Sequence, residues 1–225
     1  MKKFWLPAFI SISLLHVIGV MFGIHMLSFC TKPLLMPLLA LWLLAESAGI
    51  RLSLRSGWLI GLGFSTLGDV LLMFEGGLFF LLGLSAFLLA HVSYIGSIVV
   101  GLRERRGFLL RNPVWILPFL LYPIFMLYAL WSGIPEAMRI PVAIYALVIS
   151  SMAQAVANLR SSLDDNTFRT MMAGALLFVL SDSLLAINKF GQTFAGAHVA
   201  IITTYILGQY LLAKGVLVII REAGG

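Results

Sequence analysis

The 225-residue chain is 61% hydrophobic and 11% charged, with a net charge of +6 and a mean hydropathy of +1.04. Since a soluble domain is about 25% charged, these values exclude a soluble protein and indicate an all-α polytopic membrane protein. The positive charge is attributed to cytoplasmic loops and contact with anionic membrane lipids, not to nucleic-acid binding. The one cysteine, Cys30, excludes an intramolecular disulfide.

Eight apolar segments of membrane-spanning length follow one another in the chain. The first is interpreted as an uncleaved helix, because Phe29 is too bulky for a lipoprotein cleavage site before Cys30. Pro33 and Pro113 are predicted to open the second and fifth helices, and glycines break two hairpins. The predicted helices span residues 4–27, 33–49, 57–74, 77–101, 113–131, 137–158, 169–187 and 192–219.

The distribution of basic residues predicts the orientation. One set of ends and loops carries most of the lysines and arginines, while the opposite set carries Lys32, Arg139 and Lys189. Basic loops stay in the cytoplasm, so both termini are predicted to be cytoplasmic, which agrees with an even number of helices. The short loops favour a bacterial inner membrane and a single transmembrane domain over residues 1–225.

A short internal repeat divides the chain. LGDVLL at 67–72 is similar to LSDSLL at 180–185, and each is followed by a helix that carries a tyrosine, Tyr94 or Tyr205. Four helices separate the copies, so the halves, about 1–111 and 112–225, would be parallel repeats. The match is short, and low sequence complexity is the alternative explanation.

The two acids within the apolar segments are the main candidates for a site. Asp69 and Asp182 lie at similar distances from the starts of helices that run in the same direction, so a similar depth is predicted. An intramembrane carboxylate costs several kcal/mol and indicates function by default. The alternative is that each acid is neutral and hydrogen-bonded between helices.

The local surroundings of the two acids differ. Ser65 and Thr66 lie one turn from Asp69, whereas apolar residues flank Asp182. Donors favour a carboxylate and apolar surroundings favour the acid, so Asp182 is predicted to retain its proton and Asp69 to be ionised.

Further polar residues predict a cavity among the helices. His91 and Tyr94 share a face of the fourth helix, and Tyr205 and Gln209 share a face of the eighth. Each could instead serve interhelical packing. Lys32 and Lys189 lie at outer helix ends, where they would either reach the membrane interface or bind phosphate.

Several alternatives stay open at this point. His91 and His198 with the two acids could hold a metal, but their spacing matches no metal motif and His91 is expected to lie deeper, so no metal or cofactor is predicted. Two intramembrane aspartates also occur in aspartyl proteases, but Ser181 stands where that class has a tyrosine. A proton-coupled carrier of a lipid-like molecule is the remaining alternative.

Taken in order, these motifs resemble the lysoplasmalogenase (YhhN-like) family of membrane hydrolases. The matching pieces are KPLLMPLL at 32–39, STLGDVLLM at 65–73, FLLAHVSY at 87–94, LFVLSDSLLAINKF at 177–190 and TYILGQYLL at 204–212. Gly208 stands where the family pattern suggests alanine.

The resemblance implies hydrolysis of the vinyl-ether bond of a lysoplasmalogen, a lysophospholipid, to a fatty aldehyde and glycerophosphoethanolamine or glycerophosphocholine. It implies Asp69 and Asp182 as the catalytic pair. The residues implied to line the substrate site are Lys32, His91, Tyr94, Lys189, Tyr205 and Gln209. This chemistry fits two carboxyl groups, one that protonates carbon and one that stabilises the cation and orients water. Asp182 is the expected acid and Asp69 the expected base; the headgroup and the oligomeric state stay open.

Overall fold

Every regular element is helical in the part of the chain that the computed structural model describes, residues 4–48, 53–101 and 107–224. The all-α prediction is confirmed for these residues. The helices, numbered in chain order, are α1 (Trp5–Met21), α2 (His25–Thr31), α3 (Leu35–Glu46), α4 (Ser53–Leu71), α5 (Gly77–Gly101), α6 (Phe108–Arg111), α7 (Leu117–Leu130), α8 (Glu136–Asn158), α9 (Asp165–Phe190) and α10 (Ala197–Gly224).

Six of the described helical segments are long and apolar enough to cross a membrane. They are His25–Glu46, Gly77–Val100, Pro113–Gly133, Glu136–Ser161, Asp165–Phe190 and Ala197–Glu222. Trp5–Met21 is a shorter apolar helix. The chain is therefore an integral membrane protein, as its composition predicts.

The boundary between the first two predicted helices is wrong. α1 ends at Met21, and Gly23, with a φ of 65°, makes a turn before α2 starts at His25. A positive φ suits glycine because it lacks a Cβ. Pro33 does not open a helix; it lies in a 3-10 turn, Lys32–Leu34, that joins α2 to α3. Lys32 therefore lies inside a continuous helical segment.

Two helical hairpins, α4–α5 and α9–α10, form the most closely packed pairs in the fold. Glycines bring α9 and α10 together: a Cβ on Gly208 would lie 2.9 Å from the Phe178 backbone nitrogen, and one on Gly174 would lie 2.8 Å from that of Leu212. Small residues at such crossings are the usual means by which membrane helices approach closely. Each hairpin contributes one of the two acids.

The remaining helices enclose this pair of hairpins. α8 packs against both α5 and α9, while α7 packs on α8 and α9 at the periphery. The outward side chains of α7 are large and exposed: Leu120, Leu121, Ile124, Phe125 and Tyr128. This apolar surface is suited to contact with lipid chains.

Candidate active site

Asp69 lies near the end of α4 and is 3% exposed. The Tyr205 hydroxyl of α10 donates a hydrogen bond of 2.8 Å to its Oδ2. Tyr205 itself packs edge-on against Phe87 and Phe178. Among the described residues, one hydroxyl donates to this carboxyl group, and aromatic rings surround that hydroxyl.

Asp182 lies in α9, and its side chain is 15% exposed. The Tyr145 hydroxyl of α8 donates a hydrogen bond to its Oδ2. His91 Nε2 of α5 lies 3.8 Å from the same oxygen and 3.3 Å from the Tyr145 oxygen. The His91 ring therefore lies beside Asp182, although the sequence places His91 deeper than the acids.

The tautomer of His91 follows from its surroundings. The ring is fully buried, and Nδ1 has no hydrogen-bond partner among the described residues. A buried donor without a partner costs free energy, so we assign the hydrogen to Nε2 in the neutral ring. Nε2–H then points toward the oxygens of Tyr145 and Asp182, and a chain of donors ends on the carboxylate.

Contacts between helices reverse the difference in surroundings that the sequence suggests. The Ser65 hydroxyl lies 3.3 Å from the Tyr94 hydroxyl, and Thr66 donates to the Leu62 carbonyl, so neither of these bonds goes to Asp69. Asp182, with apolar neighbours in its own helix, receives polar groups from α5 and α8. Asp69 is therefore the more shielded acid and Asp182 the more exposed one.

Both acids line one open cavity of about 810 Å³. The cavity wall also includes Tyr205, Leu72, Leu185 and Ile202, so it combines polar and apolar surface. Such a cavity with a few convergent polar groups is the usual form of a small-molecule site.

Cationic and polar side chains line the same cavity. Lys32 and Lys189 both contribute, and the Lys189 ammonium lies 5.1 Å from the centre of the Phe80 ring. His25 and His198 lie in the same wall and are exposed. This concentration of nitrogen groups is suited to an anionic ligand group such as a phosphate.

Three of the residues implied by resemblance lie behind the cavity and do not line it. Tyr94 donates to Gln209 Oε1 at 3.1 Å, and Gln209 Nε2 donates to Ser65 Oγ at 3.1 Å. With the Ser65–Tyr94 contact these groups form a closed, buried ring that joins α4, α5 and α10. His91, the third of these residues, is also fully buried. Their contacts are with the protein and support the cavity wall from behind.

Tyr145 is the residue of this site that sequence reasoning missed. A single tyrosine in an apolar helix gives little signal, because tyrosines are also common as packing residues and at membrane interfaces. The available signal was a hydroxyl within a predicted span, at a depth comparable to that of the acids. Its partner could not be predicted without knowing that α8 packs beside α9.

Fold and site together define a polytopic helical membrane protein with two carboxyl groups, from separate hairpins, at one open cavity with lysines in its wall. Comparison with known proteins then identifies its relatives. The YhhN family model matches residues 27–216, and the chain belongs to this family.

Several curated relatives are named lysoplasmalogenases. Human lysoplasmalogenase TMEM86A is 31% identical over 186 residues, which cover 79% of this chain and 74% of the relative. Human lysoplasmalogenase TMEM86B is 31% identical over 178 residues, covering 79% and 69%. The bovine TMEM86A protein is 30% identical over 188 residues, covering 79% and 74%. No solved structure has significant similarity to the chain.

Proposed function

We propose that this protein is a lysoplasmalogenase, which hydrolyses the vinyl-ether bond of a single-chain ether phospholipid. The observation that carries the proposal is the convergence of Asp69 and Asp182 on one cavity that also contains lysines. The relatives' names supply the substrate class. The products would be a fatty aldehyde and glycerophosphoethanolamine or glycerophosphocholine.

The reaction divides into protonation, hydration and collapse. A carboxylic acid transfers its proton to the vinyl carbon remote from oxygen, which leaves an oxocarbenium ion on the neighbouring carbon. Water adds to that carbon as the second carboxylate takes one of its protons, giving a hemiacetal. The hemiacetal then loses its hydroxyl proton to the first carboxylate while the ether oxygen receives a proton from the second. Aldehyde and alcohol leave, and both acids regain their starting states.

Burial and hydrogen bonding support a division of roles between the two acids. We assign the donated proton to Asp69, which is shielded from water, and the negative charge to Asp182, which receives Tyr145 and is partly exposed. This is the reverse of the order expected from sequence. Two carboxyl groups in contrasting surroundings perform the equivalent steps in glycosidases, where an oxocarbenium-like transition state also forms.

The other predicted residues receive supporting roles. Lys32 and Lys189 would bind the phosphate of the headgroup through charge-assisted hydrogen bonds. Tyr205 would orient Asp69, while His91 would support Asp182 through Tyr145. Tyr94 and Gln209 would hold α10, and therefore Tyr205, in register with α4.

We also infer the membrane arrangement. α1 and α4 would add two spans to the six apolar segments, giving eight with both termini in the cytoplasm. The distribution of basic residues supports this orientation. The two closely packed hairpins, each with one acid, support a parallel internal repeat within one domain. A bacterial inner membrane fits the short connections.

A product assay tests the proposed reaction. Purified protein in detergent is offered lysoplasmenylethanolamine beside the ester lysolipid of the same chain length, in D₂O, and the aldehyde is trapped as a hydrazone. The expected result is aldehyde from the vinyl ether alone, with one deuterium on the carbon next to the carbonyl. A folded protein that releases no aldehyde would contradict the substrate assignment, and a product without deuterium would contradict the protonation step.

A further inference from the structure

A second, smaller cavity lies between α7, α8 and α9 and has a volume of about 50 Å³. Its wall is mainly apolar. The larger apolar side chains that line it are Met126, Leu127, Leu130, Ile134, Val142 and Ile149. At this size the cavity has room for a few methylene groups and not for a whole hydrocarbon chain.

The polar residues in this wall are occupied by contacts with the protein. The Tyr122 hydroxyl lies 2.6 Å from the Ser183 hydroxyl, and Ser183 donates to the Val179 carbonyl. The Tyr145 hydroxyl donates to Asp182. Since these hydroxyl groups already have partners, the cavity offers mainly apolar contacts, and an apolar cavity of this kind favours a hydrocarbon over water.

Asp182 connects the two cavities. Among the described residues it alone lines both the large cavity and the small apolar one. It therefore stands at the boundary between a compartment with cationic and polar groups and one lined by aliphatic side chains. A ligand that contacts Asp182 from both sides must be polar at one end and apolar at the other.

A lysoplasmalogen has its reacting bond at the same kind of boundary. The vinyl ether joins the hydrocarbon chain to the glycerophosphate headgroup, and the carbon that is protonated is the second of the chain, counted from the ether oxygen. We propose that the small cavity binds the first carbons of the hydrocarbon chain and thereby places the vinyl ether beside Asp182. This inference rests on the proposed function and adds the chain-binding subsite to it.

The position of α7 provides a route for the rest of the chain. α7 is the peripheral helix of the three, and its outer face carries exposed apolar side chains such as Ile124 and Phe125. Pro123 lies inside α7 and is buried. A proline removes one backbone hydrogen bond and permits a bend in the helix. The chain would thus leave the small cavity past α7 and continue among the bilayer lipids.

Photolabelling tests the binding subsite without requiring hydrolysis. The probe is a saturated alkyl-ether lysophosphoethanolamine with a diazirine on one of the first carbons of the chain, and labelled peptides of the full-length protein are identified by mass spectrometry. Labels are expected on α7 and α8, at residues such as Leu127 and Val142. Labels confined to α1, α3 or α10 would overturn the inference.

A filling substitution tests the same subsite by kinetics. Ala146→Leu adds volume in the wall of the small cavity, which should lower kcat/KM for a long-chain vinyl ether by roughly tenfold or more. A substrate analogue with a propenyl ether, which has no chain beyond the vinyl group and one methyl, should lose much less activity in this variant, because only its methyl group enters the cavity. A merely structural defect would lower both rates together.

Ala143→Leu is the matched control, because Ala143 lies one turn away on α8, has similar exposure and lines neither cavity. It should change kcat/KM for the long chain by no more than about twofold. Equal losses for both substrates, or equal losses in both variants, would overturn the inference while leaving the hydrolase intact. Labelling of α7 and α8 in a protein that releases no aldehyde would support the subsite and contradict the reaction.

Discussion

Removing one hydroxyl, with Tyr145→Phe, tests how the protein positions Asp182. The substitution keeps the ring that packs against His91, with centroids 5.8 Å apart, and deletes the donor to the carboxylate. His91 Nε2 remains 3.8 Å from the same oxygen, so part of the polar environment persists. The expected effect is therefore a loss of activity in a folded protein.

The magnitude follows from the bond that is lost. A hydrogen bond to a charged group contributes about 1.5–3 kcal/mol, and each 1.36 kcal/mol changes a rate tenfold. If the bond orients Asp182 in the transition state, kcat should fall by roughly 10- to 100-fold. KM should change little, since the hydroxyl is bonded to Asp182 and the headgroup is bound elsewhere.

The assay is steady-state release of aldehyde from lysoplasmenylethanolamine, with kcat and KM determined separately. Tyr128→Phe is the control, because Tyr128 is 84% exposed on the outer face of α7. A Tyr145→Phe enzyme with the wild-type kcat would refute the positioning role. A rise in KM at unchanged kcat would instead make the hydroxyl a substrate-binding group, which also contradicts the account.

Three further predictions concern the headgroup, helix packing and a helix cap. Lys32→Gln should raise KM for the phospholipid about tenfold with a small change in kcat, since it removes a charge-assisted hydrogen bond to the phosphate. An unchanged KM at low salt would contradict phosphate binding by Lys32. Gly208→Ala should destabilise the protein by about 1–3 kcal/mol in detergent denaturation, because the new Cβ would lie 2.9 Å from a backbone nitrogen. Gly96→Ala is the control and should not destabilise the protein, because its Cβ would meet no atom within 4 Å. Asp164 accepts hydrogen bonds from the backbone nitrogens of Asn166 and Thr167, and the contacts with Thr167 hold its pKa below the usual value. A depressed pKa stabilises the folded state at pH values above the pKa of the unfolded state, about 3.9. The melting-temperature difference between wild type and Asp164→Ala should therefore be present at pH 7 and shrink below pH ~4. A difference that does not change with pH would contradict the cap.

The membrane helices and the two acids within them could be predicted from the sequence, because both depend on local properties. A run of apolar residues is sufficient to predict a membrane helix, and a carboxylate within it is costly wherever the helix packs. Asp69 and Asp182 could therefore be selected before any contact was known. Gly23 could also have predicted the end of the first helix, since the turn at this residue ends α1 before the predicted boundary.

The surroundings of the acids could not be predicted in the same way. Ser65 is one turn from Asp69, yet it lies in a ring with Tyr94 and Gln209 because α4, α5 and α10 meet there. Asp182 receives its polar neighbours from α5 and α8, which are distant in sequence. The packing of helices decides these partners, and the proposed reversal of acid and base rests on it.

Asp69→Asn and Asp182→Asn test the proposed pair of catalytic carboxyl groups most directly. Both side chains keep their shape, and Asp165→Asn, an exposed change at the start of α9, is the matched control. General acid–base groups contribute about 10²–10⁴-fold, so aldehyde release by each of the two variants should fall by at least about 100-fold while the control retains its activity. A folded Asp69→Asn or Asp182→Asn protein that releases aldehyde at the wild-type rate would contradict the two-carboxylate mechanism.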